Sequence, residues 1–269
     1  TDYNSPDKLI HLFDKNTFEH LASSTYQGQG PDEITIIGHV GIDETNRRFF
    51  VSDHGKLKIF AYDLDSVLTT PEYQPSVKID MKKKLFPDDY LYLNDTLCIA
   101  KIIEPIGNND YKPSVARWNM ATGEINPMPY EYPDLKKVRF IYTASAEHQL
   151  YVQCYTQYDL MTICDFNGNL KCNIYGPKWV NEKTQTQHYS LGVEFCGDKI
   201  LALYSGGDHR TDAYYPTKFL VFDLNGNYLK TLETGYMITD FCYDKENNRL
   251  IINLNDEIQF AYLDLEGII

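Results

Sequence analysis

Apolar and polar positions alternate along this chain in short runs, and no long stretch keeps the 3.6-residue period of a helix. The run Lys218-Phe219-Leu220-Val221-Phe222 is apolar and aromatic and closes on Asp223. Asn225-Gly226 follows, a pair that tolerates the positive φ of a tight hairpin turn. Tyr228 to Leu232 then alternates again, so the segment predicts strand, turn and strand. Counterparts of Asp223 stand at Asp14, Asp63, Asn119, Asp165 and Asp264, each ending an apolar run and entering a turn, with spacings of 49, 56, 46, 58 and 41 residues. An Asp or Asn at the end of a strand can bond its own backbone two residues on, which starts the turn.

Two further short strands precede most of these markers. Leu191 to Cys196 with Lys199 to Tyr204, and Ile238 to Tyr243 with Arg249 to Leu254, are two examples. Each unit therefore holds four strands, A to D from inside to outside. A strand repeat of this period predicts an all-β fold, a six-bladed β-propeller of four-stranded antiparallel blades with almost no helix. One such blade cannot bury its own faces, so neighbours must stack around a ring. The first unit opens directly on its C strand, Lys8 to Phe13. Its inner half is expected from residues upstream, and a start at Thr1 without Met suggests a mature or trimmed product. Residues 1–269 are read as one propeller domain.

Composition narrows the partners. Net charge is −13 with a pI near 4.9, which argues against nucleic acid, because phosphate contacts need clustered Lys and Arg. The one basic run, Lys82-Lys83-Lys84, falls in a connection between strands. No apolar run approaches the roughly 18 residues of a membrane helix, so no transmembrane segment is expected. The six Cys, at 98, 154, 164, 172, 196 and 242, form no C-x-x-C pair. All fall in predicted strands, where a free Cys behaves as a small hydrophobe. Cys98, Cys154, Cys196 and Cys242 are expected to be buried and unpaired. Cys164 and Cys172 are equidistant from Gly168 and could face each other across one hairpin, although six free thiols are the first reading.

The loop Gly28-Gln29-Gly30-Pro31-Asp32-Glu33 allows a tight bend, but no helix and no G-K-[ST] follow it, so it is not read as a phosphate cradle. Together with Phe13-Asp14-Lys15-Asn16 and Phe222-Asp223-Leu224-Asn225-Gly226-Asn227, it resembles the TolB-like six-bladed propeller proteins of Bacteroidetes and, more distantly, NHL-type propellers. That family often has Gly where this chain has Asp32. The resemblance implies export, often as a lipoprotein, to the periplasm or cell surface, and it implies no particular reaction.

In a propeller the B–C and D–A connections share one face. The long connections here are of those kinds: 104–113 and 205–217 for B–C, 69–89 and 175–189 for D–A, whereas the C–D turns look short. Tyr111, Trp179, Asp208, His209, Arg210, Tyr214 and Tyr215 lie on them. Aromatic residues and Arg are common interface anchors, so these are the candidate binding residues for a protein or a glycan. The bland alternative is a set of tolerated surface insertions.

Asp89, Arg139, His188 and Glu194 lie near the starts of predicted inner strands and could point into a central channel. The chain carries no G-x-S-x-G and no H-E-x-x-H, so no catalytic residue is assigned. Two functions compete. One is an exported, non-catalytic binding propeller without a cofactor. The other is a hydrolase of the gluconolactonase and lactonase type, with a divalent cation held at the channel by acids such as Glu33, Asp89, Glu194 and Asp240.

Overall fold

The computed structural model describes residues 1, 5, 7–107, 110–133, 135 and 137–269. Contacts divide the chain into two compact units, one of residues 1–110 and 114–127, the other of residues 111–113 and 128–269. In the first unit, β1 (Lys8–Phe13) and β2 (His20–Tyr26) form a two-stranded sheet. A four-stranded sheet follows from β3 (Ile37–Asp43), β4 (Arg48–Asp53), β5 (Lys58–Asp63) and β6 (Ser76–Asp80). The next is built from β7 (Phe86–Asn94), β8 (Leu97–Gly107), β9 (Asp110–Asn119) and β10 (Glu124–Pro127).

The second unit continues the pattern. One four-stranded sheet holds β11 (Phe140–Ser145), β12 (Leu150–Tyr155), β13 (Leu160–Asp165) and β14 (Leu170–Tyr175). Another holds β15 (Thr186–Cys196), β16 (Lys199–Asp208), β17 (Lys218–Asp223) and β18 (Tyr228–Glu233). The last has three strands, β19 (Ile238–Asp244), β20 (Arg249–Leu254) and β21 (Phe260–Asp264). Strands follow one another in chain order within every sheet, and among the described residues helix is confined to α1 (Leu64–Thr69) and one 3-10 turn at Asp212–Tyr214. This is the all-β propeller architecture of antiparallel blades that the strand repeat predicts.

All six marker residues sit where a C strand ends, and their side chains explain the turns. Asp223 Oδ1 accepts from the backbone N–H of Asn225 and Asn227 at 2.8 and 2.9 Å, and its Oδ2 accepts from Asn227 Nδ2 at 2.8 Å. Asp165 makes the same three bonds to Asn167 and Asn169. Gly168 and Gly226 then take φ of +80° and +86°, where an L side chain would be strained. Asp63 departs from the set. It accepts from Ser66 N at 2.8 Å and caps α1, so this C–D connection is a helix rather than the short turn expected. As a consequence, the stretch 69–89 is not one loop, because β6 and the start of β7 lie within it.

Blades are buried on both faces, as stacking requires. In β4, Phe50 packs with Tyr90, Ala100 and Trp118, while the next residue, Val51, packs with Leu9, Ile37 and Tyr62. In β16, Ile200 and Ala202 pack with Val152 and Ile163, whereas Leu201 and Leu203 pack with Phe219 and Phe241. First strands of successive sheets pack together, β3 with β7 in one unit and β15 with β11 and β19 in the other.

Other expectations change in detail. Cys98, Cys154 and Cys196 are buried and free, but Cys242 is exposed, because its position in β19 points away from the core that Phe241 enters. Cys164 and Cys172 are also free: a bulge at Lys171 in β14 pairs Ile163 with Cys172 and Cys164 with Leu170, so the two are not cross-strand partners. Most of 104–113 is strand, formed by the ends of β8 and β9, and 205–208 belong to β16.

Candidate binding surface

Antiparallel order brings the β12–β13, β14–β15 and β16–β17 connections to one end of the second unit, beside the start of β11. The end is built from the inside outward. Asp159, in the β12–β13 turn, is 1% exposed. Its Oδ2 accepts from Lys178 N at 2.9 Å, and its backbone carbonyl accepts from Gly176 N at 2.8 Å. A Cβ on Gly176 would come within 2.2 Å of that carboxylate, so glycine is the residue that lets strand end and acid meet. Trp179 N then donates to Gly176 O at 3.1 Å, which closes the turn that presents Trp179.

His188 lies beside this acid, equally buried, with Nδ1 3.7 Å from Asp159 Oδ1 and 3.3 Å from the Tyr204 hydroxyl. Burial pushes its imidazole below the usual value, against the attraction of Asp159. His188 N donates to Thr156 O, and Thr156 N donates to Arg139 O at 2.9 Å. Arg139, exposed at the start of β11, lies with its guanidinium 5.1 Å from the Tyr111 ring centre.

Outside this frame is an aromatic lattice. Trp179 packs edge-on to Tyr175 and Tyr132, with ring centres 5.0 and 5.9 Å apart, and lies tilted against Tyr158 at 6.3 Å. The hydroxyls of Tyr132 and Tyr175 are 3.2 Å apart, which fixes the two rings relative to each other. Tyr158 is buried, Trp179 and Tyr132 are half-buried, and Tyr175 is 50% exposed. The lattice therefore has a buried root and an accessible outer surface.

The 205–217 segment docks on the same connections. His209 N and Nδ1 both approach Gln185 O, at 3.2 and 2.9 Å, and Lys178 Nζ reaches Gly206 O at 3.4 Å. Arg210 and Asp208 form a two-pronged pair at 3.0 and 2.6 Å, and the guanidinium holds that carboxyl far below the usual range. Tyr214 and Tyr215 are ring neighbours with centres 4.2 Å apart. The predicted residues Tyr111, Arg139, Trp179, His188, Asp208 and His209 thus come together at one end. Reading the sequence missed Tyr132, Tyr175 and Asp159. An aromatic density around Tyr130-Glu131-Tyr132 was the available signal for the first.

The remaining candidates go elsewhere. Glu194 is not near a strand start: β15 begins at Thr186, eight residues earlier, and Glu194 pairs with Leu201 beside the Gly197 turn. In the first unit Asp89 accepts from His39 Nδ1 at 3.0 Å, and the adjacent imidazole is the main attraction holding its carboxyl low against burial. Glu33 is used by its own loop, where its Oε2 accepts from Gly30 N at 2.7 Å and Lys56 Nζ donates to the carbonyls of Gly30 and Glu33. Among the described residues no three His, Cys, Asp or Glu side chains gather as metal ligands.

Comparison with known proteins agrees with the architecture. Residues 3–96 match a family described as a 6-bladed beta-propeller. A member of the duf4221 family from Bacteroides vulgatus superimposes with a TM-score of 0.63 at 12% identity, covering 97% of this chain and 88% of the other. A protein of unknown function from Bacteroides caccae gives 0.55 at 14% identity, covering 98% and 88%. The extracellular domain of a candidate one-component system from B. thetaiotaomicron gives 0.58 at 11% identity, and the match covers 95% of this chain but only 31% of that one. At these identities the likeness is one of fold. No curated protein matches in sequence.

Proposed function

We propose that the chain is an exported recognition module, of the periplasm or cell surface, that binds a protein or glycan partner through the loop-bearing end of its second unit. The observation that carries this reading is the aromatic lattice of Tyr132, Tyr175 and Trp179. Its rings are held by one another and by the buried Asp159 turn, yet their outer faces reach solvent. Rigid, partly exposed aromatic residues lose little entropy on contact and are typical anchors of a recognition surface. Tyr111, Asp208, His209, Arg210, Tyr214 and Tyr215 would form its rim. The extracellular neighbour in fold supports export, and no helix of the described residues is long and apolar enough to cross a membrane. Lipid anchoring belongs to the proposal and rests on the family resemblance alone.

The test is a binding screen of purified protein against glycan and peptide arrays, repeated with Tyr175→Ala and Trp179→Ala. Folded variants that lose at least about thirtyfold in affinity would support the reading, since an anchor costs about 2 kcal/mol or more. Ligands that bind both variants as tightly as the parent would overturn it.

A further inference from the structure

We infer that the partner at this end is an acidic saccharide, one carrying carboxylate or sulfate groups on its rings; the inference rests on the recognition reading above. The first ground is local charge. The whole chain carries −13, yet this end is not acidic on its surface. Of its exposed acids, Glu131 and Asp208 are neutralised by Lys112 at 2.9 Å and by Arg210 at 2.6 Å, and Glu182 is followed directly by the exposed Lys183. Asp159 is buried. Lys178 adjoins Trp179 in the chain and Arg139 lies by Tyr111, and neither side chain forms an ion pair among the described residues. In a chain with 38 acids and 25 Lys and Arg, unneutralised cations at an aromatic surface are a local reversal of sign. At physiological salt the Debye length is about 8 Å, so an anion at this surface answers to these cations rather than to the distant acids.

The second ground is the form of Arg139. Its guanidinium carbon lies 5.1 Å from the Tyr111 ring centre, and its backbone carbonyl is fixed by Thr156. A guanidinium beside an aromatic ring and open to solvent keeps N–H groups available for a two-pronged bond to a planar anion. Lys178 supplies a compact second charge on a backbone clamped by Asp159.

The third ground separates ligand classes. Nucleic acid is also anionic, but a densely charged phosphate chain would meet net repulsion and needs clustered Lys and Arg. A saccharide presents apolar C–H faces to aromatic rings and spaces its charges widely. That combination fits a lattice of three accessible rings with cations at its margin.

Calorimetric titration can decide, using four probes on the intact chain: polygalacturonate, dextran sulfate, neutral dextran and poly-glutamate. The expected result is binding of polygalacturonate or dextran sulfate without binding of dextran or poly-glutamate, and the first two probes distinguish carboxylate from sulfate. Arg139→Gln and Lys178→Gln should each weaken that binding about tenfold, the worth of one charge-assisted hydrogen bond. Both side chains leave the core untouched, so a matching unfolding curve will show that the variants are folded. Equal binding of neutral dextran would overturn the acidic assignment while leaving a glycan surface. Binding of poly-glutamate alone would overturn the saccharide in favour of a protein partner. Binding of none of the four would also overturn it. If an acidic probe binds but Trp179→Ala binds it unchanged, the recognition reading of this end falls as well.

Discussion

Gly176 and Asp159 show how much of the surface depends on single residues. The carboxylate of Asp159 occupies the space a side chain at 176 would need. Gly176→Ala is therefore expected to cost about 1–3 kcal/mol by overpacking, measurable as a lower denaturant midpoint, and to loosen the turn that carries Trp179. Cysteine chemistry gives a second expectation. Cys242 is exposed, but partial dehydration of its thiol and then the negative charges of Glu194, Asp240 and Asp244 push it up to about 11. In the native protein it should be the first thiol alkylated, with a rate that climbs as pH approaches 11, while Cys98, Cys154 and Cys196 stay protected. Mass mapping after timed labelling would check this order, and early modification of the three buried thiols would contradict it. At this scale the sequence was only partly readable. Tyr111, Trp179 and His188 announced themselves by residue type. Asp159 did not, because Tyr158-Asp159-Leu160 looks like any turn and nothing local signals that its acid is buried.

Elements were far more legible than residues. Apolar runs closing on Asp or Asn located every C strand, because the same carboxylate or amide chemistry starts the following turn. Where the rule failed, the sequence held the reason. Asn119, Asp165 and Asp223 lead within a few residues to left-handed glycines, Gly123, Gly168 and Gly226, and after Asp14 it is Phe18 that takes a positive φ of 60° in the hairpin. No glycine stands between 64 and 75. Asp63-Leu64-Asp65-Ser66 instead offers a helix cap, and the structure uses it. Asp63→Ala is expected to unravel α1 and speed amide exchange across 64–69, with β3 to β5 still protected in the same exchange experiment. The lengths of connections were misread for a different reason. Strands β8, β9, β15 and β16 run past their cores into exposed or half-buried ends, and polar composition there resembles a loop.

At the scale of the whole molecule, the six sheets were predictable from period, whereas the division into two compact units was not, since the repeat continues through residues 127 and 128 without a change of pattern. Acid stability belongs to this scale too. His54 is half-buried in one unit and His188 buried in the other, and loss of solvent pushes both imidazoles below the ordinary 6.5. In the unfolded chain these rings gain protons near pH 6.5, but in the folded chain only at lower pH, so the unfolded state binds more protons over that interval. Stability should hold above pH 6.5 and fall as pH drops through the folded values. Asp89, held low in the fold, adds its own loss only below about 3.9, the ordinary Asp value. Urea midpoints at pH 7.5, 6.0 and 5.0 would show the first decline, and His54→Gln should flatten it. A midpoint that does not move across these values would contradict the assignment.

The Asp-closed hairpins also bear on how the protein ages. Asn167-Gly168 and Asn225-Gly226 are the kind of pair most prone to deamidation, in which the glycine nitrogen attacks the asparagine side chain. In both turns that nitrogen already donates a hydrogen bond to the marker Asp, Gly168 to Asp165 O at 2.9 Å and Gly226 to Asp223 O at 3.0 Å. The folded chain should consequently accumulate isoaspartate slowly at these exposed sites, and faster once Asp165 or Asp223 is replaced by Ala and the turn is free to open. The residues that shape the blades would in this way also set the chemical lifetime of their outer edges.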